Sequence, residues 1–308
     1  MEKLRENIDM FNKYEFGIEL EFTNIRLNDL YEILNRKNID LKYIRRKSKN
    51  EDYDTWILGT DSTVSRNYEN DFIGGELSSK IMTDNIADWK TLKKICEVLR
   101  ECHGRLDDFC SNQITINIAN LKNKEKFLEV LCKLIAVYEK EIEMFYMGDK
   151  YFDRKAKKLF ARSIQEKLLE KVDKIDFNKY YMFNRDKKHI EDILYVYPYA
   201  FLWNDGISLD KMYLKHLIEI RYPNGTLCEK TVQNNVNFSI KLIDAINEKK
   251  FDIKYLDYRI NDEKKEMDKN KKIVFDEDKF YELIEIISTS EDDKIDFDRQ
   301  FQKVLKTK

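Results

Sequence analysis

The chain has 308 residues, of which 42% are hydrophobic, 13% aromatic and 37% charged, with a net charge of −2. This composition predicts a folded globular protein with a sizeable core and excludes a disordered chain. The charge balance argues against non-specific binding to nucleic acid. No window approaches the roughly 20 apolar residues of a membrane span, and the first residues lack a signal peptide's apolar core. We therefore expect a cytoplasmic protein with neither nucleic acid nor membrane as a partner.

Apolar residues alternate with polar ones in the segments that we predict as strands, and recur every three or four residues in the predicted helices. The predicted elements are strands at 14–24, 53–63, 72–79, 111–122 and 216–226, an aromatic irregular region with a strand at 176–205, and helices at 28–37, 85–102, 124–147, 150–172, 229–247, 277–288 and 295–306. The charged segment 248–275 predicts an exposed loop or a frayed helix.

Each of four predicted strands has one apolar and one polar face, which predicts an α+β fold. Its antiparallel sheet would pack helices on one face and present a concave polar surface on the other. In FGIELEF (16–22), for example, alternation places Glu19 and Glu21 opposite four apolar side chains. The whole predicted surface carries Glu19, Glu21, Glu76, Gln113, Thr115, Asn117, Glu219 and Arg221, with Asp61 where the strand at 53–63 ends.

Four glutamates on one concave surface repel one another and resist desolvation unless a cation is present. Divalent cations such as Mg²⁺ prefer oxygen ligands, and Mg²⁺ binds a few carboxylates together with phosphate oxygens, which points to a nucleotide. For FGIELEF alone, the simpler alternative to a cation site is that its Glu-x-Glu pair lies on a solvated sheet surface.

Several motifs follow one another over about residues 14–245: FGIELEF, WILGTDS (56–62), GGELSS, QITIN and IEIRYPNGTL. Their order resembles that in the amidoligases, relatives of glutamine synthetase and glutamate–cysteine ligase, and the C-terminal helices are similar as well. The resemblance implies a glutamine-synthetase-like sheet in a catalytic domain at 1–250. A charged connector and C-terminal helices at 251–308 would pack on that domain.

The resemblance also implies an ATP- and Mg²⁺-dependent ligase that joins a carboxylate to an amine through an acyl phosphate. The substrates would be small molecules, peptides or proteins. The implied metal ligands are Glu19, Glu21, Glu76 and Glu219. The implied catalytic residues are Arg221, which would contact the transferred phosphoryl group, and Asp61, which would assist the amine. Residues implied to bind the nucleotide are Gln113, Thr115, Asn117 and Arg221.

The chain departs from the family pattern on one strand. Thr115 and Asn117 stand where the family usually has two histidines, and neither side chain is basic or a strong metal ligand. Two other functions stay open. One is a catalytically inactive relative that binds a peptide or protein, which the two substitutions support. The other is a two-metal phosphodiesterase, against which the Glu-x-Arg strand with Glu219 and Arg221 argues.

Overall fold

The structure is a computed structural model that describes residue 4 and residues 13–44, 54–68, 71–147, 161–172, 205–209, 212–268 and 273–306. The predicted helix at 150–172 is described only from residue 161, and nearly all of the aromatic region at 176–205 lies outside the described residues. Within the described part, no helix has both the length and the apolar character needed to cross a membrane.

Eight strands of the described chain form one sheet. They are β1 (Phe16–Arg26), β2 (Leu41–Ile44), β3 (Trp56–Gly59), β4 (Arg66–Tyr68), β5 (Asp71–Ser78), β6 (Asn112–Asn117), β7 (Ile207–Ser208) and β8 (Leu217–Ile220). Their order is β2–β3–β5–β1–β6–β8–β7, with β4 paired to β5. All pairings are antiparallel except β2 with β3. The prediction of an α+β fold is confirmed, with one correction: the sheet is mostly, not wholly, antiparallel.

The helices in the described residues mostly match the predicted positions. They are α1 (Leu27–Arg36), α2 (Ile86–Glu101), α3 (Lys124–Tyr146), α4 (Gln165–Lys171), α5 (Met212–Lys215), α6 (Glu229–Asn247), α7 (Ile253–Asp268), α8 (Glu277–Ile287) and α9 (Glu291–Lys306). The last helix begins four residues earlier than predicted.

The alternation in β1 sets which face of the sheet is buried. Phe16, Ile18, Leu20 and Phe22 are each at most 2% exposed, and Phe16 stacks on Trp89 of α2 with ring centroids 5.4 Å apart. The other face carries the polar residues. The apolar face therefore anchors the sheet to its helices and leaves the polar face to build a site.

An aromatic core joins the C-terminal helices to α3 and α6. Phe145 of α3 stacks on Phe238 of α6 with centroids 4.1 Å apart, and Phe297 of α9 meets both rings edge-on. Phe280 of α8 stacks on Phe301 of α9 at 3.9 Å. These contacts bury the last two helices against the body, while the division into domains stays a prediction.

The charged segment 248–275 is more ordered than predicted, because most of it forms α7. Leu256 and Ile260 of this helix are 1% exposed, and Lys133 of α3 forms an ion pair with Asp257 at 2.7 Å. The local charge density obscured a narrow apolar stripe that is enough to dock the helix on α3.

Candidate functional site

Strand pairing brings two predicted glutamates side by side. Glu21 of β1 lies directly opposite Glu76 of β5, and Glu76 also pairs with Gly59 at the end of β3. Asp61 follows Gly59 by two residues. Three segments that are far apart in sequence therefore meet at one end of the polar face.

Carboxylate oxygens of Glu21, Asp61 and Glu76 lie within 4.8 Å of one another. We call these three residues the carboxylate cluster. Glu21 and Glu76 are buried, with 4% and 6% of their surface exposed, while Asp61 is half-buried. Buried carboxylates at this separation repel strongly in a poorly solvated environment, so the cluster is suited to a cation.

A tight turn fixes the Asp61 carboxylate. Its Oδ1 accepts hydrogen bonds from the backbone N–H of Thr63, at 2.7 Å, and from the Thr63 hydroxyl. The Ser65 hydroxyl accepts from the Asp61 N–H and donates to the carbonyl of Gly74, both at 2.9 Å. Gly74 has φ +79°, and a Cβ there would lie 2.8 Å from the Val64 carbonyl, so this link to β5 requires glycine.

The Glu21 carboxylate is oriented from β6. The backbone N–H of Ser111 donates to Glu21 Oε2 at 2.6 Å, and the Gln113 side-chain amide donates to Oε1 at 3.4 Å. Gln113, which was predicted to bind a nucleotide, therefore contacts the carboxylate cluster. Its predicted role stays untested.

Glu19 and Glu219 share the polar face but do not belong to the carboxylate cluster, which is the only such group found among the described residues. Glu19 lies opposite Ser78 and Gln113, and accepts a hydrogen bond from the Ser78 hydroxyl at 3.4 Å. Glu219 lies opposite Thr115 and forms an ion pair with Arg221. The four predicted metal ligands thus occupy one face, with only Glu21 and Glu76 in direct proximity to each other.

Glu219, a predicted metal ligand, and Arg221, a predicted contact to the phosphoryl group, form an ion pair with each other. Their side chains are 7% and 16% exposed, so the pair is largely shielded from water. The backbone N–H of Arg221 also donates to the carbonyl of Gly206 at 2.7 Å. A carboxylate in this position holds the planar guanidinium in one orientation, which suits it to bind an oxyanion.

Thr115 and Asn117 line a cavity of about 220 Å³ at the other end of β1 and β6, together with Gly17, Glu19 and Ser78. The Asn117 amide donates to Glu15 at 2.9 Å, and its oxygen accepts the backbone N–H of Ala119 at the same distance. The two positions that depart from the family pattern therefore form part of a concave surface rather than a second carboxylate group.

A buried network next to Arg221 was missed by the sequence analysis. The hydroxyl of Tyr222 donates to Glu139 of α3, which also accepts from the backbone N–H groups of Ile164 and Gln165 at 2.9 and 2.6 Å. Burial, together with the charge of Glu139, raises the pKa of Tyr222 well above its usual value. Burial and nearby Glu143 raise the pKa of the Glu139 carboxyl. The only sequence signal was a glutamate inside a strongly apolar helix.

The fold and this site define a class of protein: an α+β protein whose open sheet carries a carboxylate cluster and a paired arginine on its polar face. The family model described as "Putative amidoligase enzyme" matches residues 12–243. The chain belongs to this family, which confirms the resemblance found in the sequence and indicates a ligase-type function. No curated protein is significantly similar to the chain.

Proposed function

We propose that the protein is an ATP- and Mg²⁺-dependent ligase that joins a carboxylate to an amine through an acyl phosphate. The observation that carries the proposal is the carboxylate cluster, because ligases of this type must neutralise the charge of a transferred phosphoryl group. Family membership supports the ligase class, and the cluster supports the metal-dependent type.

The donor set of the cluster fits Mg²⁺. This ion takes oxygen ligands at about 2.0–2.1 Å, so two ligands on opposite sides of it are about 4.2 Å apart. One carboxylate oxygen of each of Glu21, Asp61 and Glu76 lies within 4.8 Å of the other two, which is close to that separation. We therefore propose these three as the metal ligands. This replaces the set Glu19, Glu21, Glu76 and Glu219 and makes Asp61 a ligand rather than a base.

Bound Mg²⁺ would supply electrostatic stabilisation of the phosphate charges. In the first step, an oxygen of the substrate carboxylate attacks the γ-phosphorus of ATP, the bond to the β-phosphate breaks, and ADP leaves. Arg221, held by Glu219, would donate two hydrogen bonds to the equatorial oxygens of the phosphoryl group in the transition state of the transfer. Its role is to position and stabilise charge, with no covalent intermediate on the protein.

In the second step, the amine attacks the acyl carbon and inorganic phosphate leaves with the bonding electron pair. The ammonium form first gives one proton to water, and the attacking nitrogen gives a second proton to the departing phosphate as the amide bond forms. The side chains on the polar face of the sheet would contribute chiefly by holding the amine next to the acyl phosphate. Thr115 and Asn117 remain proposed contacts to bound ligands, since their side chains offer hydrogen bonds but no strong metal affinity.

Isothermal titration of ATP, with and without Mg²⁺, tests this proposal. Glu76→Gln should weaken Mg²⁺-dependent ATP binding at least tenfold, since it removes one charged ligand from the cluster. Glu19→Gln is the matched control, because it makes the same change on the same face outside the cluster. Equal effects of the two variants would contradict the assignment, and absence of ATP binding in the wild type would favour the inactive relative.

Product analysis then tests the chemistry. The acyl-phosphate route predicts that ADP and inorganic phosphate accumulate when ATP and Mg²⁺ are incubated with carboxylate and amine substrates. AMP and pyrophosphate in their place would refute this route. Hydrolysis of a phosphodiester without ATP would instead support the two-metal phosphodiesterase.

A further inference from the structure

An irregular pairing between the start of β1 and the chain that follows β5 shapes the cavity over Gly17. The backbone of Ile18 pairs with Ser79, and Phe16 pairs with Met82 through reciprocal N–H···O bonds of 2.9 and 2.8 Å. Lys80 and Ile81 therefore both lie opposite Gly17, two residues against one, as in a β-bulge. Bulges redirect side chains and are frequent beside active sites. Here the bulge directs Lys80 and Ile81 to the cavity wall.

Gly17 forms the floor of this cavity. Among the described residues, the nearest atom to an added Cβ would be the Ser79 hydroxyl oxygen at 3.8 Å, so no described side chain fills the space above Gly17. Its backbone has no positive φ that would demand glycine. The missing side chain is therefore explained by the open volume rather than by the conformation of β1.

Groups of both charges line the same cavity. Glu15 and Glu19 provide carboxylates, and Lys80 and Lys215 provide ammonium groups. Lys80 is held in place by Asp88, with 2.8 Å between the charged atoms. A ligand that carries a positive and a negative group close together complements this lining better than a ligand of one sign.

Apolar groups and the size of the cavity limit the ligand further. Ile81 is 58% exposed and lies with Leu217 at the cavity wall. The volume of about 220 Å³ is below the range of about 300–1,000 Å³ that holds drug-sized ligands. A small zwitterion with a short apolar side chain fits this volume.

We infer that this cavity binds a free α-amino acid, which serves as the amine substrate of the proposed ligase. The ammonium group lies towards Glu19, the carboxylate towards Lys80 and Lys215, and the side chain against Ile81. Glu19 is two residues from Glu21 along β1, about 7 Å at the usual strand rise. The amine is thus bound one side-chain row from the carboxylate cluster. The inference rests on the proposed function and assigns Gly17 as the residue that sets ligand size.

Calorimetric titration of the full chain with each proteinogenic L-amino acid, with and without ATP and Mg²⁺, tests this inference. At least one amino acid should bind saturably. Its methyl ester, which lacks the carboxylate, and its N-acetyl derivative, which lacks the ammonium group, should each bind roughly tenfold more weakly or worse, because each loses a charged contact. No saturable binding under either condition, or equal binding of the ester, would overturn the inference.

Two variants locate the binding site. Gly17→Val should weaken amino-acid binding at least roughly tenfold by filling the floor, with ATP binding kept. Lys215→Glu reverses an exposed charge and should also weaken it, while Lys90→Glu, on the exposed surface of α2, should not. If both cavity variants bind like the wild type, the ligand binds elsewhere and the inference is wrong.

The two proposals fail separately. If the wild type binds ATP in the presence of Mg²⁺ but binds no amino acid, this inference is wrong and the proposed ligase function is not contradicted. Amino-acid binding without any ATP binding contradicts the proposed ligase and leaves the cavity as an amino-acid site.

Discussion

Gly206→Ala tests the packing that supports Arg221. A Cβ at Gly206 would lie 1.8 Å from one carbon of the Tyr222 ring and 2.2 Å from the next, about half of a normal carbon–carbon contact of roughly 3.5–4.0 Å. The ring cannot easily move aside. Its hydroxyl is bonded to buried Glu139, and its face stacks on Tyr146 with centroids 6.2 Å apart.

The expected cost follows from this geometry. Overpacking a buried site usually costs about 1–3 kcal/mol, and here either the ring or the backbone that leads into β7 must be displaced. We therefore expect Gly206→Ala to lower the free energy of unfolding by at least about 3 kcal/mol. Because the Gly206 carbonyl accepts the Arg221 N–H, ligase turnover should fall as well.

Urea denaturation measures the effect, with Gly17→Ala as the matched control. Among the described residues, the same methyl group at Gly17 meets the Ser79 hydroxyl at an ordinary contact distance of 3.8 Å, so it should change stability by less than about 1 kcal/mol. In the Gly206→Ala background, Tyr222→Ala should cost less than in the wild type, since it removes the clash. A Gly206→Ala protein as stable as the wild type would refute the packing described here.

Three further predictions concern buried charges. Burial, opposed by the ammonium of Lys279, raises the pKa of Glu141 from 4.5 to about 7, so stability should fall as pH rises through that interval. Glu141→Gln should therefore make the pH-dependent change in the free energy of unfolding smaller by about 3 kcal/mol. Urea denaturation at several pH values measures this, and an unchanged pH profile would contradict the prediction. Lys241→Met should cost about 3 kcal/mol in thermal unfolding, because it removes the cation 3.0 Å from buried Asp293; a neutral result would contradict it. Arg221→Lys should reduce turnover at least about tenfold with little change in the KM for ATP, because a lysine cannot make the two-pronged contact; a rise in KM alone would contradict it.

Local alternation predicted which residues share the polar face, and it did so because side chains in a strand have a strict period of two. FGIELEF and QITIN lie on β1 and β6 with the expected faces buried. The same rule predicted Glu219 and Arg221 on one face, and the two side chains form an ion pair. The period of two along a strand does not determine the register of strand pairing, because register depends on contacts between distant segments.

Register decided which carboxylates meet. The pairing of Gly59 with Glu76, and of Glu76 with Glu21, carries Asp61 to the cluster, and no local pattern encodes it. The bulge at Lys80 likewise depends on how the chain leaves β5. Alternation therefore predicted which faces of β1 and β6 are buried, whereas the set of carboxylates in contact depends on the strand register.

The most direct test of the carboxylate cluster is a crystal structure of the protein grown with Mn²⁺ and a non-hydrolysable ATP analogue, with anomalous data collected at the manganese edge. We predict an anomalous peak in coordination distance of Glu21, Asp61 and Glu76, bridged to the terminal phosphates of the analogue. A peak held by Glu19 or Glu219 without those three residues, or ordered nucleotide with no metal among them, would contradict the account.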